Sequence, residues 1–193
     1  MSARLGTLLL VLAAALALYA MQRSTPRYMA LTGPISVRGA MGQTVSARQF
    51  DVTVQRVQFA RQLSYQRLSA PQTRETGGIW AIVWLRLAAR GTSGTVGEAA
   101  WLGPDGLAYR HTDRLVLARN QPPHALEPGL PRTVRLVFEI RPDQARGATL
   151  LLSARYDPRL DSQVRIALDD VPLDGSGQPI AAARYELDQE TAP

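Results

Sequence analysis

The segment Ile79–Ala89, IWAIVWLRLAA, places the strongest constraint on the fold. It is apolar at both odd and even positions until Arg86, and it holds two tryptophans with two isoleucines and a valine. At this length, with β-branched and aromatic residues enriched, it predicts a central strand. A strand that is apolar on both parities must be covered on both faces. The rest of the chain therefore has to supply a layer on each side of it. With 193 residues, 46% of them hydrophobic and 20% charged, the chain has enough material for one ordinary domain and is too apolar for a disordered one.

The remaining segments supply that cover as strands. Phe50, Val52 and Val54 alternate with Asp51, Thr53 and Gln55, a period of two. The apolar parity then slips by one, and Val57 and Phe59 continue the run; a β-bulge accommodates such a slip. In Val134–Ile140, the residues Val134, Leu136, Phe138 and Ile140 share one face, and Arg135 and Glu139 lie on the other. Val164, Ile166 and Leu168 alternate with Gln163, Arg165 and Asp169. Weaker strands are expected at Ile35–Val37, Glu98–Leu102, Leu115–Ala118 and Leu150–Tyr156, and a short helical turn within residues 142–149. Gly39 and Gly42, Gly77–Gly78, Gly103-Pro104-Asp105-Gly106, Pro122–Pro123 and Pro128-Gly129-Leu130-Pro131 are turn compositions. Short strands with this punctuation predict an all-β, antiparallel sandwich.

One segment departs from the β pattern. Leu5–Met21, LGTLLLVLAAALALYAM, carries no charge and is rich in helix-forming Leu and Ala. Arg4 precedes it, and Arg23 and Arg27 follow. As a helix it is about 26 Å long, near the lower edge of a bilayer core. It reads as an uncleaved signal anchor or as a cleaved signal peptide, with Ala15 and Ala17 offering an A-x-A match. The domain is accordingly expected outside the cytoplasm, as a single-pass protein tethered to the inner membrane or, alternatively, secreted after cleavage. The organisation expected is a targeting segment over residues 1–23, a linker with a first weak strand over 24–39, the sandwich over 40–170, and an acidic tail or edge hairpin over 171–193.

Several chemistries are excluded or lack their motif. There is no cysteine, which removes disulfides, zinc–thiolate sites, iron–sulfur clusters and thiol nucleophiles. There is no G-x-S-x-G, no H-E-x-x-H and no Gly-rich phosphate loop, and the lysine of a P-loop is missing because the chain has none. His111 and His124, the two histidines, read as loop residues on the surface, although Asp113 lies two residues from His111. The acidic strings Asp157-Pro158-Arg159-Leu160-Asp161 and Asp169-Asp170 through Asp174 could offer oxygens to calcium, but neither has the spacing of an EF-hand loop. They read as turns. Trp80, Trp84 and Trp101 read as core rather than as a ligand platform. No metal, no cofactor and no catalytic residue is expected.

Charge supplies the candidate surface. All 22 basic residues are arginine, and the net charge is +6. The chain up to Arg135 carries 16 arginines against 6 acids, a net of +10, and the remainder carries −4. Arg48, Arg56, Arg61, Arg67 and Arg74, with Tyr65 among them, lead into and through a long Arg/Gln-rich connection at Arg61–Thr76. An extracytoplasmic location argues against nucleic acid, so an acidic envelope protein, an anionic lipid or a glycan is the expected contact.

The order of motifs resembles the bacterial family of secreted, immunoglobulin-like domains of unknown function, sometimes called telokin-like. The matching pieces span residues 40–170. They are the glycine-led start Gly42-Gln43-Thr44-Val45, the strand Phe50-Asp51-Val52-Thr53-Val54 and the hydrophobic strand Trp80–Leu87. After these come the turn of Asp105, Gly106 and Tyr109, and Pro128-Gly129 leading to Val137-Phe138-Glu139-Ile140. The stretch Arg61–Thr76 exceeds the family's usual connection. The resemblance implies an immunoglobulin-like sandwich and an extracytoplasmic location. The function expected is a non-enzymatic binding module of the cell envelope. The alternatives are an anionic lipid or glycan contact module, or an envelope hydrolase.

Overall fold

The computed structural model describes residues 2–24, 31–67, 70–112, 114–115 and 122–188. The chain divides into two compact units, residues 1–33 and 34–193. In the first, α1 spans Ser2–Ser24. Its portion Arg4–Ser24 is long and apolar enough to cross a membrane and buries none of its surface.

The second unit is a β-sandwich. Its strands are β1 (Ile35–Ala40), β2 (Thr44–Ser46), β3 (Phe50–Arg67), β4 (Ala70–Ala89), β5 (Gly94–Val96), β6 (Glu98–Leu102), β7 (Ala108–Arg110), β8 (His124–Leu126), β9 (Arg132–Ile140), β10 (Thr149–Ser153), β11 (Ser162–Ala167) and β12 (Ala181–Glu186). One sheet has the order β1-β11-β10-β6-β7, and the other runs β12-β3-β4-β9 with β2 also paired to β3. β5 and β8 form a separate two-stranded ribbon. Pairing is antiparallel except at two edges, where β1 joins β11 and β12 joins β3 in parallel. This is the two-layer, all-β architecture that the alternation predicts.

β4 is the central strand of its sheet and is covered on both faces. Ala81, Val83, Leu85 and Leu87 point into the main core with Val52, Val54, Phe59, Leu136 and Phe138. The facing sheet contributes Trp101, Leu150, Leu152, Val164 and Ile166 to that core. Trp101 joins the two sheets, with its ring centroid 6.1 Å from Phe59 and 6.2 Å from Phe138. Its indole N–H donates to the Gln144 carbonyl at 2.9 Å, which removes the cost of burying that polar group. On the opposite face of β4, Trp80, Ile82 and Trp84 pack with Ala60, Leu63, Tyr65, Leu115, Val137 and Leu187 in a second cluster.

The parity slip in β3 is a register shift between Val54 and Arg56. It re-aims Val57 and Phe59 into the core. Gly77 and Gly78 are not a turn. They sit inside β4, where residues 76–79 stand opposite Arg61 alone. A Cβ on Gly78 would lie 2.2 Å from the Ile140 carbonyl oxygen, so only glycine lets β4 approach β9 there.

The connection at Arg61–Thr76 is not a loop either. β3 and β4 stay paired out to Arg67 and Ala70, which makes a hairpin arm. Beyond β11, Leu173 bridges Pro179 around a turn at residues 174–177, and the chain then enters β12. Pro142–Gln144 forms the expected short turn, as a 3-10 helix. The strand expected at Leu115–Ala118 lies outside the described residues after Leu115, which is a bend.

The sandwich has two distinct ends. At the entry end, β1 begins, and the Ile35 amide donates to the Asp161 carbonyl at 2.9 Å. The segments 47–49, 90–93, 127–131 and 154–161 gather there, because Phe50 faces Ala89, Leu87 faces Arg132, and Ser153 faces both Glu98 and Gln163. The far end carries the turns at 103–107 and 141–148 and the hairpin arm.

Candidate functional site

The structure divides the six predicted contact residues among three places. Arg48 lies at the entry end, between β2 and β3. Its Nε and one terminal nitrogen donate to the two carboxylate oxygens of Asp161 at 2.8 and 2.7 Å, and its amide donates to Ser162 Oγ at 2.8 Å. This bidentate clamp ties the β2–β3 connection to the start of β11 in the other sheet. The hydrogen bond from Arg48 is the main reason that the Asp161 carboxyl is held down at about 2; burial opposes it, and the Ser162 amide helps. Arg48 thus has a structural partner.

Arg56 lies mid-sheet, on the outer face of β3. Its guanidinium is 4.5 Å from the Trp84 ring centroid, and Arg135 of β9 is 4.9 Å from the same ring. Arg56, Trp84 and Arg135 are cross-strand neighbours, so two cations reach one indole from the strands on either side. The tryptophan is 2% exposed, and its indole nitrogen has no hydrogen-bond partner.

The hairpin arm brings together the remaining four. Arg61 is exposed at the bulge. Arg67 ends β3, and its side chain lies outside the described residues. Arg74 stands over the Tyr65 ring at 6.0 Å from the centroid. Its carbonyl accepts the Trp80 indole N–H at 3.2 Å. Tyr65 is buried, contrary to its expected place on an exposed loop, because the arm's inner side continues the second cluster through Leu63. Its hydroxyl has no hydrogen-bond partner. Tyr65 lines a recess of about 180 Å³ with Ser64, Gln66, Pro71, Glu186 and Asp188. The Gln66 amide donates to Asp188, and the Leu187 amide donates to the Ser64 carbonyl at 2.8 Å, so the end of β12 closes one wall.

Sequence reasoning missed the groups that brace this arm. Arg114 donates to both oxygens of Glu139 at 2.9 and 2.8 Å, and Thr76 Oγ1 donates to the same carboxylate at 2.6 Å. Burial alone would raise the Glu139 pKa; the hydrogen bonds from Thr76 and Arg114, with the charge of Arg114, outweigh it and hold the group low. Arg114 also lies 5.5 Å from the Trp80 centroid. An arginine read singly carries no signal for such a site. The link appears only when the 111–115 segment crosses β9, with His111 bridging Phe138 and the Thr112 amide donating to the Val137 carbonyl.

His124, Asp157, Asp161 and Asp174 have structural partners or cover, while Asp169 and Asp170 are exposed. His124 is buried in β8 rather than exposed on a loop, at 3% exposure. Burial first, and then the charges of Arg132 and His111, lower its pKa to about 4. His111 is half-buried, and Asp113 lies outside the described residues. Asp157 pairs with Arg159 at 2.7 Å. Asp174 Oδ1 accepts from Ser176 Oγ and from the Ser176 and Gln178 amides, closing its own turn. Among the described residues, no group of three or more histidines and carboxylates is placed to hold one metal ion.

No family model matches the chain, and no curated protein matches it. Two solved structures are similar to part of it. The yjhA protein from Bacillus subtilis is 15% identical, with a TM-score of 0.46, over 66% of this chain and 99% of its own. An uncharacterized β-sandwich protein from Clostridium difficile 630 is 11% identical, with a TM-score of 0.46, over 74% of this chain and 99% of its own.

Proposed function

We propose that this chain is a membrane-tethered, non-catalytic interaction module of the bacterial cell envelope, related to the secreted immunoglobulin-like domains that its sequence resembles. The observation that carries the reading is the pairing of a wholly exposed, apolar 21-residue span with a separately packed sandwich. Three of the sandwich's acids have structural roles. Asp161 clamps two sheets, Glu139 braces the arm, and Asp174 closes a turn. Within the sandwich, β1 begins at one end and the β3–β4 arm projects from the other. β3 is about 60 Å long at 3.3 Å per residue. The arm therefore presents Arg61 and Arg74, with the Tyr65 recess beside them, at the end opposite the start of β1. An acidic surface of an envelope protein is the contact this geometry serves best.

A photoreactive residue placed at Arg61 or Arg74 in the full chain, in intact cells, should give a discrete cross-linked adduct. The same residue at Arg165, on the other sheet, should not. No adduct from the arm, or equal adducts from both faces, would overturn the reading.

A glycan contact is favoured by a different observation. Thr44, Asp51, Thr53, Gln55, Arg86, Leu87 and Ala88 line an open groove of about 350 Å³ on the outer face. The Thr44 and Thr53 hydroxyls lie 2.9 Å apart within it. Hydroxyls beside a carboxylate and a guanidinium suit sugar recognition. Titration with soluble cell-wall glycan fragments tests it, and a Thr53→Val variant should lose whatever binding is seen.

A further inference from the structure

The described sandwich has six strongly exposed large apolar side chains: Ile35, Leu107, Leu130, Tyr156, Leu160 and Ile180. Four of them lie at the entry end. Ile35 begins β1, Leu130 caps the turn before β9, and Tyr156 and Leu160 project from the 154–161 segment. Each of these four is 59–68% exposed. Single exposed apolar residues are ordinary, but four of the six share this one end. Leu160 is also a residue with a left-handed backbone, φ 51°, the only non-glycine so placed among the described residues. A leucine gains nothing from that conformation by itself. The Ser162 and Arg48 contacts to Asp161 hold the segment in it with the side chain outward.

Basic and amphipathic groups surround these four. Arg48, Arg110, Arg132, Arg155 and Arg159 lie at the same end. Arg110 stacks 4.2 Å from the Tyr156 centroid and donates to its hydroxyl. Of the nearby acids, Asp161 pairs with Arg48, Asp157 with Arg159 and Glu98 with Arg110, while the exposed Glu127 accepts from the Ser93 hydroxyl. Aliphatic tips, a tyrosine and arginines at one end are the composition of a membrane–water interface, where rings and guanidiniums sit at headgroup depth.

The tether selects the occupant. Eleven peptide steps separate Ser24 from Ile35, a reach of at most about 40 Å. The entry end is thereby confined near the bilayer that would hold α1. Within that reach, even weak apolar contacts engage, because tethering has already removed most of the cost of association. We infer that the entry end of the sandwich, through Ile35, Leu130, Tyr156 and Leu160, rests on the lipid surface of the membrane in which α1 is anchored, holding the arm pointed away from it. This rests on the tethered reading above.

The chain has no cysteine, so single-cysteine labels are unambiguous. Full-length Leu160→Cys, Leu130→Cys and, as the far-end control, Leu107→Cys are labelled with an environment-sensitive dye and reconstituted in phosphatidylcholine nanodiscs carrying headgroup-depth nitroxide lipid. A Leu12→Cys label in the middle of α1, read in parallel discs that carry acyl-chain-depth nitroxide lipid, reports anchoring separately. The expected result is several-fold stronger quenching and a blue shift at 160 and 130 relative to 107, with Leu12→Cys quenched throughout. Quenching at 12 with none above the control at 160 and 130 overturns this inference and leaves the tether standing. No quenching at 12 overturns both. Shielding at 160 that follows protein concentration and ignores the nitroxide assigns the surface to a second copy of the chain instead.

Discussion

Lowering the pH from 7 to 5 isolates one buried side chain. His124 is 3% exposed, and its folded pKa is near 4, against 6.5 for an ordinary histidine. The depressed value means that the fold prefers the neutral ring, so the unfolded chain binds the proton first. Stability from this group is full above pH 6.5 and is lost as pH falls toward 4, below which the loss stops growing. Between pH 7 and pH 5 the linkage amounts to about 2 kcal/mol. Ordinary carboxylates titrate mostly below this window, and Asp161, held at about 2, stays charged through it. The assay is urea denaturation of the full chain in detergent, followed by the emission of the three buried tryptophans, at both pH values. His124→Gln is the comparison, since it keeps a polar side chain that cannot titrate. The expected outcome is a drop of about 2 kcal/mol in the parent and a much smaller drop in the variant. An equal drop in both would show that the buried histidine is not the linked group.

Other outcomes follow from the sheet contacts. Trp84→Ala should cost about 3–5 kcal/mol in the same assay, since it empties a buried site and strips two guanidiniums of their shared ring. Arg48→Ala should raise the Asp161 pKa from about 2 toward the ordinary carboxylate value of 3.8, read by carboxyl NMR titration, because its principal hydrogen bond is gone. The parent's Asp161 contribution is present above that ordinary value and is lost as pH falls through about 2, so the variant should be the less stable at pH 5. Gly78→Ala drives a Cβ to 2.2 Å from the Ile140 carbonyl and should speed amide exchange along β4–β9. Gly77→Ala meets open space and should leave exchange there unchanged.

How much of this was legible in the sequence depends on the range of the interaction. The bulge at Gln55 was legible because a period-two pattern records a slip directly. The face of β9 that carries Val134, Leu136, Phe138 and Ile140 was legible for the same reason. The hairpin arm was not, because only Leu63 and Tyr65 carry the alternation into it, and the strand state of its two flanks comes from pairing across the hairpin, not from propensity. β12 begins AAA, which favours helix, and becomes a strand by adding to the edge of β3. β8 is three residues long, too short to show any period, so His124 read as a loop residue. The candidate surface divided along the same line. That Arg56 faces Trp84 while Arg61 faces solvent depends on register, and register is a property of two strands together.

The central claim is that the sandwich remains tied to a membrane through α1. The most direct test is the intact mass of the chain purified from membranes of the cells that make it. The account predicts a membrane-bound species that retains residues 2–24, less at most the initiating methionine. A soluble species whose first residue lies beyond Ser24 would contradict it.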